Sequence, residues 1–308
     1  LNLKFLPSCL VDGLVGYGPM HTEVFHTKPC IYPTFAKAKN LAMAHAFLKN
    51  DTGALPNLPS DKNGLQVFPT LNIVTVRTDN FRATITAYGY KDKKGYKSKY
   101  MHRPTGGAIS NLWLKGYGFL QAASQTEYHR WEPMHFPEAN GIKCLTPRIE
   151  FKNSNGYFTN LYEFDATTEF NELGNKITAN IYGELKDKYL QQGGIGYSYN
   201  YVFTDSAVQK SVHLRFHDSR DTVEIIEPII FYPGVKVEQL SKQEVSIKFN
   251  GQTITFTLKS GDAQLSTGKE KEKYWSAYPA LKAYPVVLTI IPDSTTIEQT
   301  IVYEFKLK

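Results

Sequence analysis

Apolar positions along this 308-residue chain follow two different periods, and the change from one to the other divides it. Residues 34–49 read TFAKAKNLAMAHAFLK, without Gly or Pro, with Phe35, Ala38, Ala42, Phe47 and Leu48 near helical spacing. That pattern predicts one amphipathic helix with Thr34 as its N-cap. Residues 50–53, NDTG, mark its end, and 55–60, LPNLPS, read as an exposed linker with a domain boundary near residue 60. The first 33 residues are broken by Gly13, Gly16, Gly18, Pro19, Pro29 and Pro33 and read as loop.

Beyond the linker the period becomes 2. In 81–88, alternation puts Phe81, Ala83, Ile85 and Ala87 on one face and Arg82, Thr84, Thr86 and Tyr88 on the other. Similar runs occupy 65–76, 108–114, 119–123, 144–151, 158–164, 176–185, 196–203, 211–216, 222–231, 235–249, 252–258, 286–291 and 299–305. About fourteen short, turn-punctuated strands with a single helix predict a mainly β fold, a large two-sheet antiparallel β-sandwich following a short N-terminal helical segment. The expected division is 1–60, loop and helix, and 61–308, sandwich. No internal repeat or low-complexity tract interrupts it.

The stretch 102–138 stands out within the strands. Pro104-Thr105-Gly106-Gly107 is a turn, and the runs 108–114 and 119–123, separated by Lys115-Gly116-Tyr117-Gly118, read as a hairpin. Glu127, Tyr128, His129, Arg130, Trp131, Glu132 and His135 follow as a dense polar and aromatic cluster. β-Elimination from a uronate needs a Tyr or His to move the proton α to the carboxyl group and an Arg to neutralise that carboxylate. Tyr128, His129 and His135 are therefore the catalytic candidates, and Arg103, Glu127, Arg130 and Trp131 candidates for holding substrate. A polar strand end with Trp131 and Pro133 packed at the sheet rim accounts for the same residues.

Composition adds little direction. With 42% hydrophobic residues the chain can bury a full core, and its apolar runs are too short and too charged to cross a bilayer. A net charge of +6 favours anionic partners but falls short of a nucleic-acid binder, and an acidic polysaccharide or oligosaccharide fits it. Cys9, Cys30 and Cys144 have no metal-like spacing and read as buried or idle thiols. The chain starts at Leu1 without Met or an apolar signal core, which reads as a mature or excised piece.

Other clusters have two readings each. Residues 91–100 hold five lysines interleaved with tyrosines, so Lys93, Lys94 and Tyr96 could clamp an anionic sugar, or simply form a solvated tip that discourages edge pairing. Period 2 places His213, Arg215 and His217 on one face, a pair of imidazoles able to share a metal or a solvent-facing polar stripe. Tyr197, Tyr199, Tyr201 and Phe203 share a face, either to stack sugar rings or to pack across strands. His21, Glu23 and His26 lack a third ligand at a recognisable interval. No residue is assigned to a metal, and the cofactor is left open, a divalent metal included.

The segments RPTGGAISNLW at 103–113, AASQTEY at 122–128 and WEP at 131–133 resemble the C-terminal β-domain of heparinase II/III-like polysaccharide lyases, and PTFAKAKNLA at 33–42 looks like the last helical piece of the toroid that precedes that domain. The resemblance implies a supersandwich of the galactose-mutarotase-like type, β-elimination on acidic glycans by Tyr and His residues in a cleft between toroid and sandwich, and an upstream helical domain of the same protein as partner. It implies a periplasmic or secreted glycan-degrading enzyme of which this chain supplies one wall of the cleft. A non-catalytic carbohydrate-binding or structural sandwich is the alternative, and a complete mutarotase-like or hydrolase enzyme stands behind both, since no acid pair is set apart for it. No nucleic acid and no membrane span are expected.

Overall fold

The computed structural model describes residues 10–11, 14–15, 31–47, 62–89, 104–124, 126, 144–174, 176–268 and 282–308. Short strands β1 (Leu10–Val11) and β2 (Leu14–Val15) pair with each other, and the helix α1 spans Ile31–Phe47. It starts three residues before Thr34, which therefore lies inside the first turn rather than capping it. Pro33 is tolerated there because N–H groups of the first turn have no helical acceptor. Phe35, Leu41 and Met43 on α1 are exposed, Phe35 at 71%, so these three apolar positions are not part of the core.

A five-stranded antiparallel sheet follows in simple meander order: β3 (Gly64–Phe68), β4 (Ile73–Arg77), β5 (Phe81–Thr86), β6 (Ala108–Leu114) and β7 (Gly118–Ala122). The run 65–76, expected as one strand, is split by a 3-10 turn at Pro69–Leu71 that ends on Asn72 in the left-handed region. The hairpin expected around Gly116 is present, with Gly116 at φ +81° and Tyr117 N–H donating to Leu114 O.

The remaining strands build one thirteen-stranded sheet. They are β8 (Arg148–Asn153), β9 (Gly156–Thr159), β10 (Thr167–Leu173), β11 (Lys176–Lys186), β12 (Gln192–Phe203), β13 (Ala207–Phe216), β14 (Val223–Phe231), β15 (Lys236–Gln239), β16 (Glu244–Phe249), β17 (Gln252–Ser260), β18 (Gln264–Thr267), β19 (Lys282–Ile290) and β20 (Glu298–Leu307). The order is β15-β16-β17-β20-β13-β12-β11-β9-β8-β14-β19-β18, with β10 also on β11, and every pairing is antiparallel. Alternation at 167–173 and 264–267 is weak, and both strands are missing from the pattern-based expectation. Residues 235–249 divide into two strands about the turn at 240–243.

Twist accumulated over so many strands curls the sheet on itself, as wide sheets must. Its two edges come within hydrogen-bonding reach, Gln239 Nε2 of β15 donating to Leu265 O of β18 at 3.0 Å. The five-stranded sheet packs against the inner face of this near-barrel. One apolar cluster runs through both, joining Val74, Phe81, Ile85 and Leu112 to Ile181, Tyr199, Leu214, Ile254 and Leu288. The protein is thus mainly β, two antiparallel sheets enclosing a shared core.

A charged group sits inside that core. Lys210 on β13 and Glu227 on β14 are almost fully buried, with Lys210 Nζ 2.6 Å from Glu227 Oε2. Gln121 of β7 donates to the same carboxylate oxygen at 2.5 Å, and Tyr303 of β20 donates to the other at 2.7 Å. Three elements of the large sheet are thereby tied to one of the small sheet, which fixes how the two sheets sit on each other. Burial lowers the pKa of Lys210, and the facing Glu227 opposes that effect.

Candidate functional site

The segments that carry the sequence-predicted candidates are rooted at one end of the five-stranded sheet. Residues 90–103 leave after Gly89 and return at Pro104. Their neck is closed by Thr105, fully buried, whose hydroxyl donates to Tyr88 O at 2.5 Å, and by Gly107 N–H donating to Thr86 O at 2.9 Å. Gly106 and Gly107 have φ of +64° and +78°. A Cβ at Gly106 would lie 1.8 Å from Asn160 O and one at Gly107 2.6 Å from Ile181 Cγ2, so this turn presses its backbone onto β11 and the 3-10 turn at Asn160–Tyr162.

The tyrosine ladder serves the same turn. Tyr197 OH donates to Gly106 O and Tyr201 OH to Gly107 O, both at 2.8 Å, and Asn160 Nδ2 donates to Gly106 O at 3.2 Å. Tyr199 and Tyr201 stack with ring centroids 5.1 Å apart, and Tyr197 meets Tyr199 edge-on at 5.5 Å. Tyr197, Tyr199, Tyr201 and Phe203 are all buried. Burial pushes the three phenol pKa values well above the usual range. Of its two readings, packing is the one realised, and these rings offer no face to a sugar.

The second root closes residues 127–143. Ser124 N–H donates to Thr146 Oγ1, which donates back to Ser124 O, both at 3.1 Å, and Leu145 N–H donates to Ser124 Oγ at 2.8 Å. Buried Arg148 anchors this neck, its Nη1 reaching Cys144 O at 2.9 Å and Thr146 O at 3.2 Å while its Nε pairs with Glu150. Glu150 also accepts from Tyr157 OH at 2.6 Å. Ala108, just after the first neck, packs with Cys144 of the second and with Leu161. The two segments therefore spring from one corner, through rigid, hydrogen-bonded stems.

All the predicted site residues lie outside the described residues: Lys93, Lys94, Tyr96 and Arg103 in the first segment, and Glu127, Tyr128, His129, Arg130, Trp131 and His135 in the second. So do His21, Glu23 and His26. The described framework brings the ends of the two segments together at one corner.

The histidine pair, His213 on β13 and His217 just past its end, is placed. His213 Nδ1 lies 2.9 Å from Thr300 Oγ1 and its Nε2 3.7 Å from Glu298, whereas His217 Nε2 lies 3.7 Å from Glu184. Each imidazole has its own carboxylate neighbour, the polar-stripe reading. Among the described residues no group of three or more His, Cys, Asp or Glu could hold a metal ion. The Lys210–Glu227 network was not anticipated. Its only signal was a lysine in phase with the inward Val208, Val212 and Leu214.

This framework is the fold of known polysaccharide lyases. A heparan sulfate lyase from Pedobacter heparinus superposes with a TM-score of 0.58 over 89% of this chain and 41% of its own, at 12% identity. A heparinase III crystal structure gives 0.58 over 99% of this chain and 47% of its own, at 9% identity. At the level of sequence, residues 65–304 match the ulvan lyase C-terminal domain family and residues 1–57 the ulvan lyase N-terminal domain family. The chain belongs to the ulvan lyase C-terminal domain family. Over 299 residues it is 27% identical to a broad-specificity ulvan lyase of Formosa agariphila, covering 93% of this chain and 45% of that protein. It thus spans less than half the length of that curated relative and of the two lyase structures.

Proposed function

We propose that this chain is the C-terminal β-domain, together with the final helical piece, of a polysaccharide lyase acting on an acidic glycan of the ulvan type. The observation that carries the reading is the pair of consecutive family matches, N-terminal piece then C-terminal domain, on either side of residue 60. We take residues 1–60 and 61–308 as the two structural units. The two stems at one corner of the small sheet support it, because a catalytic segment needs a rigid base to hold its side chains to the tolerance that chemistry demands.

In this reading Tyr128, His129 or His135 accepts the proton α to the uronate carboxyl group while Arg130 neutralises the carboxylate. The electron pair forms the new C=C bond and the glycosidic C–O bond breaks to the leaving sugar, which takes up a proton. Arg103, Glu127, Trp131, Lys93, Lys94 and Tyr96 hold the glycan. An upstream helical domain supplies the opposite wall, a role that fits the exposed Phe35, Leu41 and Met43 of α1. The protein acts outside the cytoplasm, where polymeric substrate is found. Among the described residues no helix is long and apolar enough to cross a membrane.

The test is incubation of the protein, with the sequence encoded upstream of Leu1 included, with ulvan while the ultraviolet absorbance of the unsaturated uronate is followed. Absorbance should rise, and Tyr128→Phe should slow it by about a hundredfold or more. A preparation that retards ulvan in a gel yet leaves absorbance flat would establish the carbohydrate-binding reading instead.

A further inference from the structure

One group of polar side chains in the core goes unused by the reading above. Gln121 of β7, Lys210 of β13 and Glu227 of β14 are each no more than 2% exposed. A single carboxylate oxygen, Glu227 Oε2, accepts from both of the others, from Lys210 Nζ at 2.6 Å and from Gln121 Nε2 at 2.5 Å. Lys210 Nζ also donates to Gln121 Oε1 at 3.3 Å, which sets the amine at the amide group, beside Gln121 Cδ. Tyr303 OH donates to Glu227 Oε1 at 2.7 Å and keeps the carboxylate turned toward the pair. The rings of Tyr201 and Phe305 lie 5.9 Å and 5.5 Å from Lys210 Nζ.

Docking the two sheets needs only packing and hydrogen bonds, which neutral side chains would supply without burying two charges. The groups present are an amine, a primary amide and a carboxylate, the set that exchanging one amide for another requires. Burial lowers the pKa of Lys210 and so brings the free amine, its nucleophilic form, within reach. Held on one core, amine and amide meet at an effective concentration that no dissolved amine attains. The proton that must leave Nζ and the proton that Nε2 must gain can pass through the same oxygen. Exclusion of water removes hydrolysis of the amide as a competitor.

We propose that Lys210 and Gln121 join in an isopeptide bond, with Glu227 as the proton carrier, so that β7 of the small sheet is covalently tied to β13 of the large one. Glu227 takes a proton from the Lys210 ammonium group, and the freed electron pair of Nζ forms a bond to Gln121 Cδ while the C=O π pair moves onto Oε1. Glu227 passes that proton to Nε2 and takes a second from Nζ. The pair on Oε1 then restores the carbonyl, the Cδ–Nε2 bond breaks, and ammonia leaves. Glu227 ends protonated and neutral, which suits a core that no longer holds a cation. The freshly folded chain carries the open pair and the bond closes afterwards, independently of any glycan chemistry.

The test is intact-mass measurement of the full chain during incubation at neutral pH, followed by cyanogen bromide cleavage after Met101 and Met134, which parts Gln121 from Lys210 along the chain. The wild type should become lighter by one ammonia molecule, and fragments 102–134 and 135–308 should stay joined on a denaturing gel. Glu227→Gln should close the bond about a hundredfold more slowly, for want of the proton carrier. Lys210→Arg should keep its full mass and give separate fragments. Where a variant fails to fold, the wild-type mass and fragments decide alone. Full mass with separate fragments overturns the proposal, and so does loss of ammonia from fragments that separate, the mark of asparagine cyclisation instead.

Discussion

Two places in this protein set a cation beside an aromatic ring on paired strands, with opposite results. On the outer face of the small sheet, Arg82 lies over Trp113 at the exposed surface. Inside the large sheet, Lys210 lies 5.9 Å from the Tyr201 ring and 5.5 Å from that of Phe305, and a carboxylate and an amide oxygen accept from its ammonium group while the Tyr303 hydroxyl donates to the other oxygen of that carboxylate. A ring alone does not replace water around a buried ammonium group, so the interior site had to supply Glu227. The surface site keeps water available, so no carboxylate has to be built beside it. Burial, more than residue type, decides whether a cation must be given a charged partner.

The largest effect expected from this contrast is alkaline unfolding. Tyr197, Tyr199, Tyr201 and Tyr303 are buried with pKa values pushed well above 10.0, chiefly by loss of solvent. Folded pKa values above the unfolded ones mean that the native state holds protons the unfolded chain gives up. This stability is whole below pH about 10 and drains away as pH climbs from there toward the folded values. Each such tyrosine then costs about 1.4 kcal/mol by one pH unit above 10. Lys210, lowered by burial, works in the opposite sense as a single group. Circular dichroism and tyrosinate absorbance followed together should change in one cooperative step, and gradual ionisation without unfolding would contradict the buried ladder.

Next in size is Lys210→Met, which strands Glu227 in the core and should cost about 3–5 kcal/mol in urea unfolding. Lys210→Met/Glu227→Gln should recover most of it, since no buried charge then remains. A single variant as stable as wild type would show that the pair does not bear on how the sheets dock.

Smallest is the other face of β13. His213→Ala and His217→Ala remove partly exposed imidazoles 3.7 Å from single carboxylates and should each shift stability by less than about 0.5 kcal/mol, with no change on adding divalent metal. A metal-dependent rise in the wild-type unfolding midpoint that His213→Ala abolishes would restore the shared-metal reading.

Much of the framework was legible along the chain. Alternation in 81–88 matches β5, where Phe81, Ala83 and Ile85 are buried, and the hairpin about Gly116 falls where the two apolar runs meet a glycine turn. Strands β10 and β18 escaped because their side chains are mostly exposed, which leaves alternation nothing to report. The roles of Thr105, Gly106 and Gly107 could be suspected from the turn pattern. Their partners Tyr197, Tyr201 and Asn160 are more than fifty residues away and left no local trace.

By itself, the sequence determined that one helix precedes a long succession of strands, and which side of most strands faces inward, because period and polarity are local properties of the chain. Only the tertiary structure decided that the tyrosine ladder is sealed against the Gly106-Gly107 turn, that Lys210 meets Glu227, and that Arg77 stands opposite Arg82. Each depends on strand order and register between residues far apart in the chain. Register is fixed by packing the two sheets together, which no window of sequence contains.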